Sequence, residues 1–204
     1  MQRKPDDTLA LVKCSNRSEI GPVVDIMSAA FEHDPAMVHF VGEAEAPHAA
    51  RSDIVTAIVQ SHFCSKEPVF LLLQNGEPVG AALVEVRRSA FGEFLGVLKT
   101  WKLWRRLPKG CPSRMNAFRA SSRQGCDKTT IYLMMIGIRP EAQGKGHGRH
   151  LIEMLEADIG TERGWSLDTE NPENVTLYER LGYAVIGEVA WEDNTIYQMQ
   201  KSAV

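Results

Sequence analysis

The stretch TIYLMMIGIRPEAQGKGHG, residues 130–148, joins an apolar run to a glycine-rich turn and then to an amphipathic pattern. The apolar run at 131–138 predicts a buried strand, and the pattern that begins near 146 predicts a helix. Glycine allows the main chain to approach a ligand closely. The free N–H groups and the dipole at a helix N-terminus favour anions. The stretch therefore predicts a strand–turn–helix unit that holds a phosphate group.

The composition of the chain is that of a folded domain and shows no nucleic-acid footprint. The 204 residues are 44% hydrophobic and carry a formal net charge of −3. This length and composition predict a single domain over 1–204 with a full core. Nucleic-acid binding usually requires a basic stripe, which is absent from this sequence, so we expect no nucleic-acid partner.

The cysteines and the N-terminus bear on metal binding and location. Cys14, Cys64, Cys111 and Cys126 are scattered and form no C-x-x-C pair, so we expect no metal site. The first residues, MQRKPDD, lack the apolar core of a signal peptide, and no apolar run reaches the length of a membrane span. These features predict a soluble, cytoplasmic protein.

Helical and strand patterns alternate along the chain. We predict a helix over 19–31, capped by Ser18 and ended by His33-Asp34-Pro35, and a helix from 146 to 163, stopped by Gly164. The other predictions are a helix at 47–64, a helix capped by Asn171 and ended by Gly182, strands at 9–13, 69–73, 79–86 and 165–169, and a hairpin of 183–191 with 195–200. The turn Asn75–Pro78 joins two of the strands into an antiparallel hairpin. Such mixing predicts an α/β (α+β) fold with one mixed sheet.

Three nucleotide-binding motifs compete for the glycine-rich turn. The P-loop pattern fails because Lys145 is followed by Gly146. A dinucleotide-binding turn would begin directly after the strand, but residues 139–143 intervene, although Asp168 lies near the distance expected of a ribose-binding acid. The third pattern, Q-x-x-G-x-G, is matched by Gln143, Gly146 and Gly148.

This third pattern resembles the coenzyme A motif of the GCN5-related N-acetyltransferase (GNAT) superfamily. The segment NPENVTLYERLGY, residues 171–183, is similar to the second signature of that family. The two motifs place the best-matched core at 129–201. The second segment and the order of elements are also similar to those of small-molecule acetyltransferases of the puromycin acetyltransferase type. The resemblance implies a mostly antiparallel sheet of six or seven strands flanked by helices.

The resemblance also implies acetyl transfer from acetyl-CoA to an amine. It assigns coenzyme binding to Ile136, Gly137, Ile138, Gln143, Gly144, Lys145, Gly146, His147, Gly148, Asn171, Asn174 and Tyr178. Tyr178 aligns with the tyrosine that protonates the leaving thiolate in many relatives. The sequence is equally consistent with Tyr178 as a half-buried core residue and with Asn174 as a support for the helix cap. Glycine within a strand often marks a bulge, so we expect a break at Gly137 that frees main-chain groups for the pantetheine arm.

The general base is left open by the sequence. Many relatives carry a glutamate on the strand before the coenzyme turn, whereas residues 131–136 contain no acid. A protonated alkyl amine is not a nucleophile, so another group must take its proton. The candidates are Asp168, Glu170, Glu85, His33 and a water chain. The resemblance further implies that His33 and Asp34 border the acceptor pocket, with Asp168 and Glu170 as further acceptor-binding residues.

Residues 88–128 do not match the family core. They are basic and aromatic, and they predict a helical insertion before the coenzyme-binding strand. We expect this insertion to pack on the domain, as a lid over the acceptor site, in preference to contacting a membrane surface.

Direct attack by a small-molecule amine in a ternary complex is the function that these features predict. A protein amine as acceptor, a non-catalytic acyl-CoA sensor and a dinucleotide enzyme remain open, and so does the choice between a monomer and a homodimer.

Overall fold

A computed structural model describes residues 8–87, 89–124, 127 and 129–204. Cys126 and the first seven residues, which entered the predictions above, lie outside these ranges. Seven strands form one sheet in the order β1-β2-β3-β4-β5-β7-β6, and all neighbours are antiparallel except β4 and β5. The strands are β1 (Leu9–Lys13), β2 (Val69–Gln74), β3 (Glu77–Glu85), β4 (Ile131–Ile138), β5 (Trp165–Thr169), β6 (Ala184–Trp191) and β7 (Asn194–Lys201). The predicted mixed sheet is confirmed.

Helices cover both faces of the sheet. They are α1 (Ile20–Ala30), α2 (Pro35–Val41), α3 (Pro47–Cys64), α4 (Ala90–Lys99), α5 (Trp101–Trp104), α6 (Cys111–Ser122), α7 (His147–Ile159) and α8 (Pro172–Arg180). Across the part of the chain that the structure describes, none of them combines the length and the apolarity that a membrane crossing needs.

The apolar run of β2 is buried on both faces because the sheet is covered on both sides. Val69 and Leu71 point into the core formed with α1 and α3, whereas Phe70 and Leu72 point into the core formed with α7 and α8. Successive side chains of a strand alternate between faces. A strand between two cores therefore lacks the polar alternation of a half-exposed one.

Two predicted helix ends are wrong, and in both cases a neighbouring residue is better placed. Asn16 caps a short 3₁₀ turn ahead of α1 in a capping box with Glu19, so Ser18 is not the cap. Helix α7 ends before Gly160, whose φ of 99° suits glycine, and not at Gly164.

The segment His33-Asp34-Pro35 begins a helix that the sequence analysis did not predict. Asp34 is the N-cap of α2, and its Oδ1 accepts a hydrogen bond of 2.8 Å from the Met37 amide. Pro35 occupies the first turn, where the absence of an N–H costs nothing. Seven residues are too few for periodicity to show, which explains why the short helix was missed.

Strands β4 and β5 separate soon after they meet. They pair only through Ile131 with Trp165 and Tyr132 with Ser166. Beyond these pairs β4 remains bonded to β3 as far as Ile138, and β5 remains bonded to β7 as far as Thr169. The facing edges of the two strands therefore diverge and leave a wedge in the middle of the sheet.

The irregularity of β4 lies at Met134 and not at Gly137, which corrects the predicted position. Met135 pairs with Leu83 and Leu133 pairs with Val84, so Met134 is the extra residue of a bulge. Gly137 pairs regularly with Ala81. A Cβ at Gly137 would lie 2.9 Å from the Cβ of Ala30, so this glycine allows α1 to approach the sheet.

The insertion between β3 and β4 contributes three helices that are anchored at several points. Trp104 Nε1 donates a 2.8 Å hydrogen bond to Ser61 Oγ on α3, which fixes α5. Arg114 Nη2 donates a 2.6 Å bond to the Phe40 carbonyl of α2, which fixes α6. The packing is incomplete, because an apolar stripe remains exposed at Phe91, Phe94, Val97, Leu98 and Trp101.

We expect Gly96→Ala to destabilise the protein because α4 touches α3 at Gly96. A Cβ at this position would overlap the main-chain oxygen of Ser61. Overpacking of this kind lowers the free energy of unfolding by about 1–3 kcal/mol. The melting temperature should fall by about 2–12 °C for a chain of this length. Gly92→Ala on the same helix is the control, since its Cβ would make only ordinary contacts. Equal melting temperatures for the two variants would contradict this packing.

Candidate active site

The turn between β4 and α7 presents a row of main-chain donors. Gly144 and Gly146 adopt φ values of 74° and 82°, in the left-handed region that favours glycine. Within the described residues, the amides of 144–149 donate to no main-chain carbonyl, and the first bond of the helix runs from His150 to Gly146. These donors lie at a helix N-terminus, an arrangement that suits a phosphate.

The side chains of the turn stabilise its shape. Gln143 Nε2 donates to the Ile138 carbonyl at 3.0 Å, and Lys145 Nζ donates to the Glu141 carbonyl at 3.0 Å. Gly148 lies against Ile138, where a Cβ would be 3.9 Å from its Cγ1. His147 is 6% exposed, and both of its ring nitrogens are buried without a partner among the described residues.

The second motif places three residues near the end of β5. Asn171 Oδ1 accepts a 2.9 Å bond from the Glu173 amide and caps α8, as predicted. Asn174 Nδ2 lies 3.4 Å from Thr169 Oγ1 and ties α8 to β5. Tyr178 is buried one turn later. Asn174 and Tyr178 both line the large cavity described next.

A cavity of about 530 Å³ opens at the wedge between β4 and β5. Residues 133–136 of β4 and 167–170 at the end of β5 line one side. Residues of α2, α3, α8 and the insertion line much of the rest. The residues of the insertion that reach the cavity are Ser89, Glu93, Val97, Trp104, Pro112, Met115, Asn116, Phe118, Arg119, Ser122 and Arg123.

Three carboxyl groups, those of Asp34, Asp168 and Glu170, meet in this cavity. Burial raises the pKa of Asp168 to about 7; the charge of Arg123 opposes this rise, and those of Asp34 and Glu85 add to it. Burial raises the pKa of Glu170 to about 8, with contributions from Asp168 and Asp34. Burial also raises the pKa of Asp34. A carboxyl with a pKa near neutrality can accept and release a proton at physiological pH.

The remaining candidates are placed differently. His33 is exposed and does not line the cavity. Glu85 is buried and held by Arg123, whose Nη2 lies 2.6 Å from its Oε1. Ile136 lines the cavity, whereas Gly137 and Ile138 lie beyond it toward the coenzyme turn. Asp168, Glu170 and Glu85 therefore all line the cavity with Tyr178, and of these three acids Glu85 is already paired with Arg123.

The site also contains residues that the sequence analysis did not assign. Arg123 reaches the cavity from the residue after α6, pairs with Glu85 and stacks over the Tyr132 ring at 4.5 Å from its centroid. Phe118 and Met134 line the wall, the first from the insertion and the second from the bulge. The only sequence signal for the insertion residues was the basic and aromatic character of 88–128, which does not give their direction.

We expect the unliganded protein to be less stable at pH 8 than at pH 6. The folded-state pKa values of Asp168 and Glu170 lie above those of unfolded chains, so the folded state binds more protons between about pH 4 and pH 8. The free energy of unfolding must then fall as the pH rises through this range. Thermal melts at both pH values test this. The double variant Asp168→Asn/Glu170→Gln should show a smaller difference in melting temperature between pH 6 and pH 8. An unchanged difference would contradict the raised pKa values of the two carboxyl groups.

Comparisons with known proteins agree with this architecture. The model of the acetyltransferase (GNAT) family matches residues 36–183. No curated protein matches the chain significantly. The fold is similar to a histone acetyltransferase HPA2-related acetyltransferase from Corynebacterium glutamicum, with a TM-score of 0.71, 17% identity, and coverage of 96% of this chain and 97% of that one.

Two further solved structures share the fold. One is the C-terminal condensation domain of Ebony in complex with β-alanyl-dopamine, with a TM-score of 0.65, 12% identity, and coverage of 96% of this chain and 99% of that one. The other is yncA from Salmonella typhimurium with its cofactor acetyl-CoA, with a TM-score of 0.55, 17% identity, and coverage of 95% of this chain and 93% of that one. The family model spans most of the chain and the sheet has the matching fold, so this protein belongs to the GNAT acetyltransferase family.

Proposed function

We propose that the protein transfers the acetyl group of acetyl-CoA to the amine of a small molecule by direct attack in a ternary complex. The chain acts as one N-acetyltransferase domain. One observation carries the proposal: Asp168, Glu170 and Tyr178 meet in the cavity at the wedge between β4 and β5, where the sheet edge is open. The open edge and the amides of the coenzyme turn belong to the same strand–turn–helix unit.

The residues present fit acetyl-CoA. The free amides of 144–149 suit the pyrophosphate, and the unpaired edge of β4 beyond Tyr132 suits the amides of the pantetheine arm. When bound, acetyl-CoA supplies an acetyl group that is activated as a thioester. The bulge at Met134 interrupts the regular pairing of β4 beside the cavity, and a main-chain N–H freed there would polarise the acetyl carbonyl.

Asp168 is our choice for the general base. It lies among Asp34, Glu85, Glu170 and Arg123, and its pKa of about 7 leaves a carboxylate available at neutral pH. The carboxylate takes one proton from the substrate ammonium, and the amine nitrogen then forms the C–N bond as the C–S bond breaks. The proton held by Asp168 leaves to solvent, so the amide, the free thiol and one proton are the products.

Tyr178 is the proposed proton donor to the leaving thiolate. Burial raises the pKa of its phenol far above the ordinary value, with further contributions from Asp168 and Glu170, so the hydroxyl stays protonated. A protonated phenol beside the wedge can give its proton to sulfur and recover it from the amide nitrogen of the product.

A small acceptor is favoured over a protein segment because the insertion forms one wall of the cavity. Residues of α4, α5 and α6 cover the side opposite the sheet, and the volume of about 530 Å³ is typical of small-molecule sites. Of the two solved structures with the most similar fold described above, one is related to a histone acetyltransferase and the other holds β-alanyl-dopamine, so the likeness of fold does not choose between acceptors.

Calorimetry with acetyl-CoA and a thiol-release assay over a panel of amines together test the proposal. We expect saturable binding of acetyl-CoA and amine-dependent thiol release. Binding without release for any amine, including peptide amines, would identify a non-catalytic acyl-CoA sensor. Release with peptides alone would identify a protein acetyltransferase. No binding of acetyl-CoA would overturn the whole assignment.

Tyr178→Phe should retain acetyl-CoA binding while lowering kcat by about 10²-fold, the usual contribution of a positioned acid. The ring is 6% exposed, and phenylalanine preserves its packing, so the dissociation constant for acetyl-CoA should change little. Steady-state kinetics and calorimetry on the same preparation measure both quantities. Tyr183→Phe, which removes a hydroxyl outside the cavity, is the matched control. An unchanged kcat in Tyr178→Phe would remove this residue as the acid.

A further inference from the structure

We infer that the acceptor is a monoamine with an apolar, preferably aromatic, tail, whose ammonium group lies among Asp34, Asp168 and Glu170. This inference rests on the proposed function and specifies its substrate class. The distribution of charge in the cavity and the chemistry of its walls carry it.

The three acids reach the cavity from two regions of the chain. Asp34 caps α2, Asp168 lies on β5, and Glu170 follows that strand. They interact, because the charge of Asp34 acts on both other carboxyl groups. Glu170 Oε1 is buried and has no hydrogen-bond partner among the described residues. A bound ammonium offers three donors and a positive charge. It would reduce the repulsion between the three carboxyl groups and donate a hydrogen bond to Glu170 Oε1.

The other acids of the cavity are already engaged. Glu85 pairs with Arg123, and Glu93 pairs with Arg119. Glu67 accepts hydrogen bonds from the amides of Val86 and Arg87. One cation therefore has a site and a second one does not, which disfavours diamines and polyamines.

A carboxylate on the substrate is disfavoured by the same arrangement. Both arginines of the lining already face glutamates, and Arg123 also stacks on Tyr132. The α-carboxylate of an amino acid would lie next to the three acids, where like charges repel strongly in a buried site.

Rings and methionines make up much of the rest of the wall, beside polar side chains such as Ser61, Asn116 and Ser122. Phe40 and Phe118 meet edge to face with centroids 5.4 Å apart. The other large apolar side chains of the lining include Phe31, Met37, Met115 and Met134. Methionine adapts to irregular shapes and contacts aromatic rings favourably. The apolar part of this wall suits a ring or a branched alkyl group, and the hydroxyls of Ser61 and Ser65 are already hydrogen-bonded within the protein.

Thiol release with four amines tests the substrate class on the full chain. The amines are 2-phenylethylamine, phenylalanine with the added carboxylate, ethylamine without the ring, and 1,4-diaminobutane with a second ammonium. We expect kcat/KM to be at least about 100-fold higher for 2-phenylethylamine than for the others. Ethylamine loses the buried ring, and each buried CH₂ is worth roughly fourfold. Phenylalanine and 1,4-diaminobutane carry an added charge that has no partner in the cavity. Asp34→Asn should raise the KM for 2-phenylethylamine at least about tenfold and leave that for acetyl-CoA unchanged. Asp25→Asn, an exposed change on α1, is the control.

The outcomes separate the two proposals. If phenylalanine or 1,4-diaminobutane is the better substrate, the acceptor class is wrong and acetyl transfer stands. If no amine releases thiol although acetyl-CoA binds, the proposed function fails. The class is then decided by calorimetry of 2-phenylethylamine with coenzyme A-saturated protein. Binding that Asp34→Asn weakens supports the inference, and the absence of binding overturns it.

Discussion

Asp168→Asn is expected to lower kcat/KM at pH 7 by about 10²- to 10³-fold. Only about one part in 10³ of an alkyl amine is unprotonated at this pH, and the variant can use only that fraction. Asparagine keeps the size of the side chain and removes the proton acceptor. Initial rates of thiol release with a saturating acetyl-CoA concentration measure the loss.

The pH profile distinguishes a base from a residue that merely binds the amine. In the wild-type protein kcat/KM should rise tenfold per pH unit up to about 7, where Asp168 loses its proton, and then level off. In Asp168→Asn the rate should continue to rise to about pH 9 as the free amine accumulates, so the deficit should shrink. Parallel profiles for the two proteins would contradict the assignment.

Two variants serve as controls for this prediction. Glu170→Gln should mainly raise the KM for the amine, because Glu170 is assigned to ammonium binding. Asp158→Asn, an exposed change on α7, should leave the kinetics unchanged. If Glu170→Gln shows the altered pH profile in place of Asp168→Asn, the base is Glu170.

Gly146→Val should weaken acetyl-CoA binding by at least about 10²-fold. Gly146 has φ 82°, a left-handed conformation that costs a non-glycine residue about 1–2 kcal/mol, and it immediately precedes the first turn of α7. A Cβ at Gly146 would lie 3.8 Å from the His150 ring, within the turn whose amides at 144–149 we assign to the phosphate. Calorimetric titration with acetyl-CoA measures the effect.

Gly76→Val is the matched control because Gly76 has φ 87° and no heavy atom within 4 Å of a Cβ, but it lies in the β2–β3 turn. The melting temperatures of both variants should fall by similar amounts, and only Gly146→Val should bind acetyl-CoA more weakly. Equal affinities in the two variants would show that the turn does not hold the pyrophosphate.

The local patterns of the sequence predicted most of the elements. Helix α3 was predicted at its observed bounds, and the cap and first proline of α8 were placed correctly. These successes rest on local physics, since periodicity, caps and turn residues act over a few positions. The errors at Ser18 and Gly164 are of one kind: in each case a second residue a few positions earlier, Asn16 or Gly160, supplies the cap or the stop.

Local sequence patterns could not predict the position of the bulge or the cluster of acids in the cavity. Gly137 had the right residue type for a bulge, but the ladder with β3 placed the extra residue at Met134. Asp34 and Asp168 are far apart in sequence, and their pKa values depend on burial and on each other. No local pattern encodes such a meeting.

The sequence by itself determined the strand–turn–helix that offers main-chain donors, the capped helix that carries Asn174 and Tyr178, and thereby the family. It could do so because each of these depends on backbone conformations that neighbouring residues specify. Only the tertiary structure decided where β4 and β5 separate, how the insertion closes the cavity and which carboxyl groups share it. Those features depend on the distances between residues remote in the chain, and electrostatic and packing free energies act through such distances.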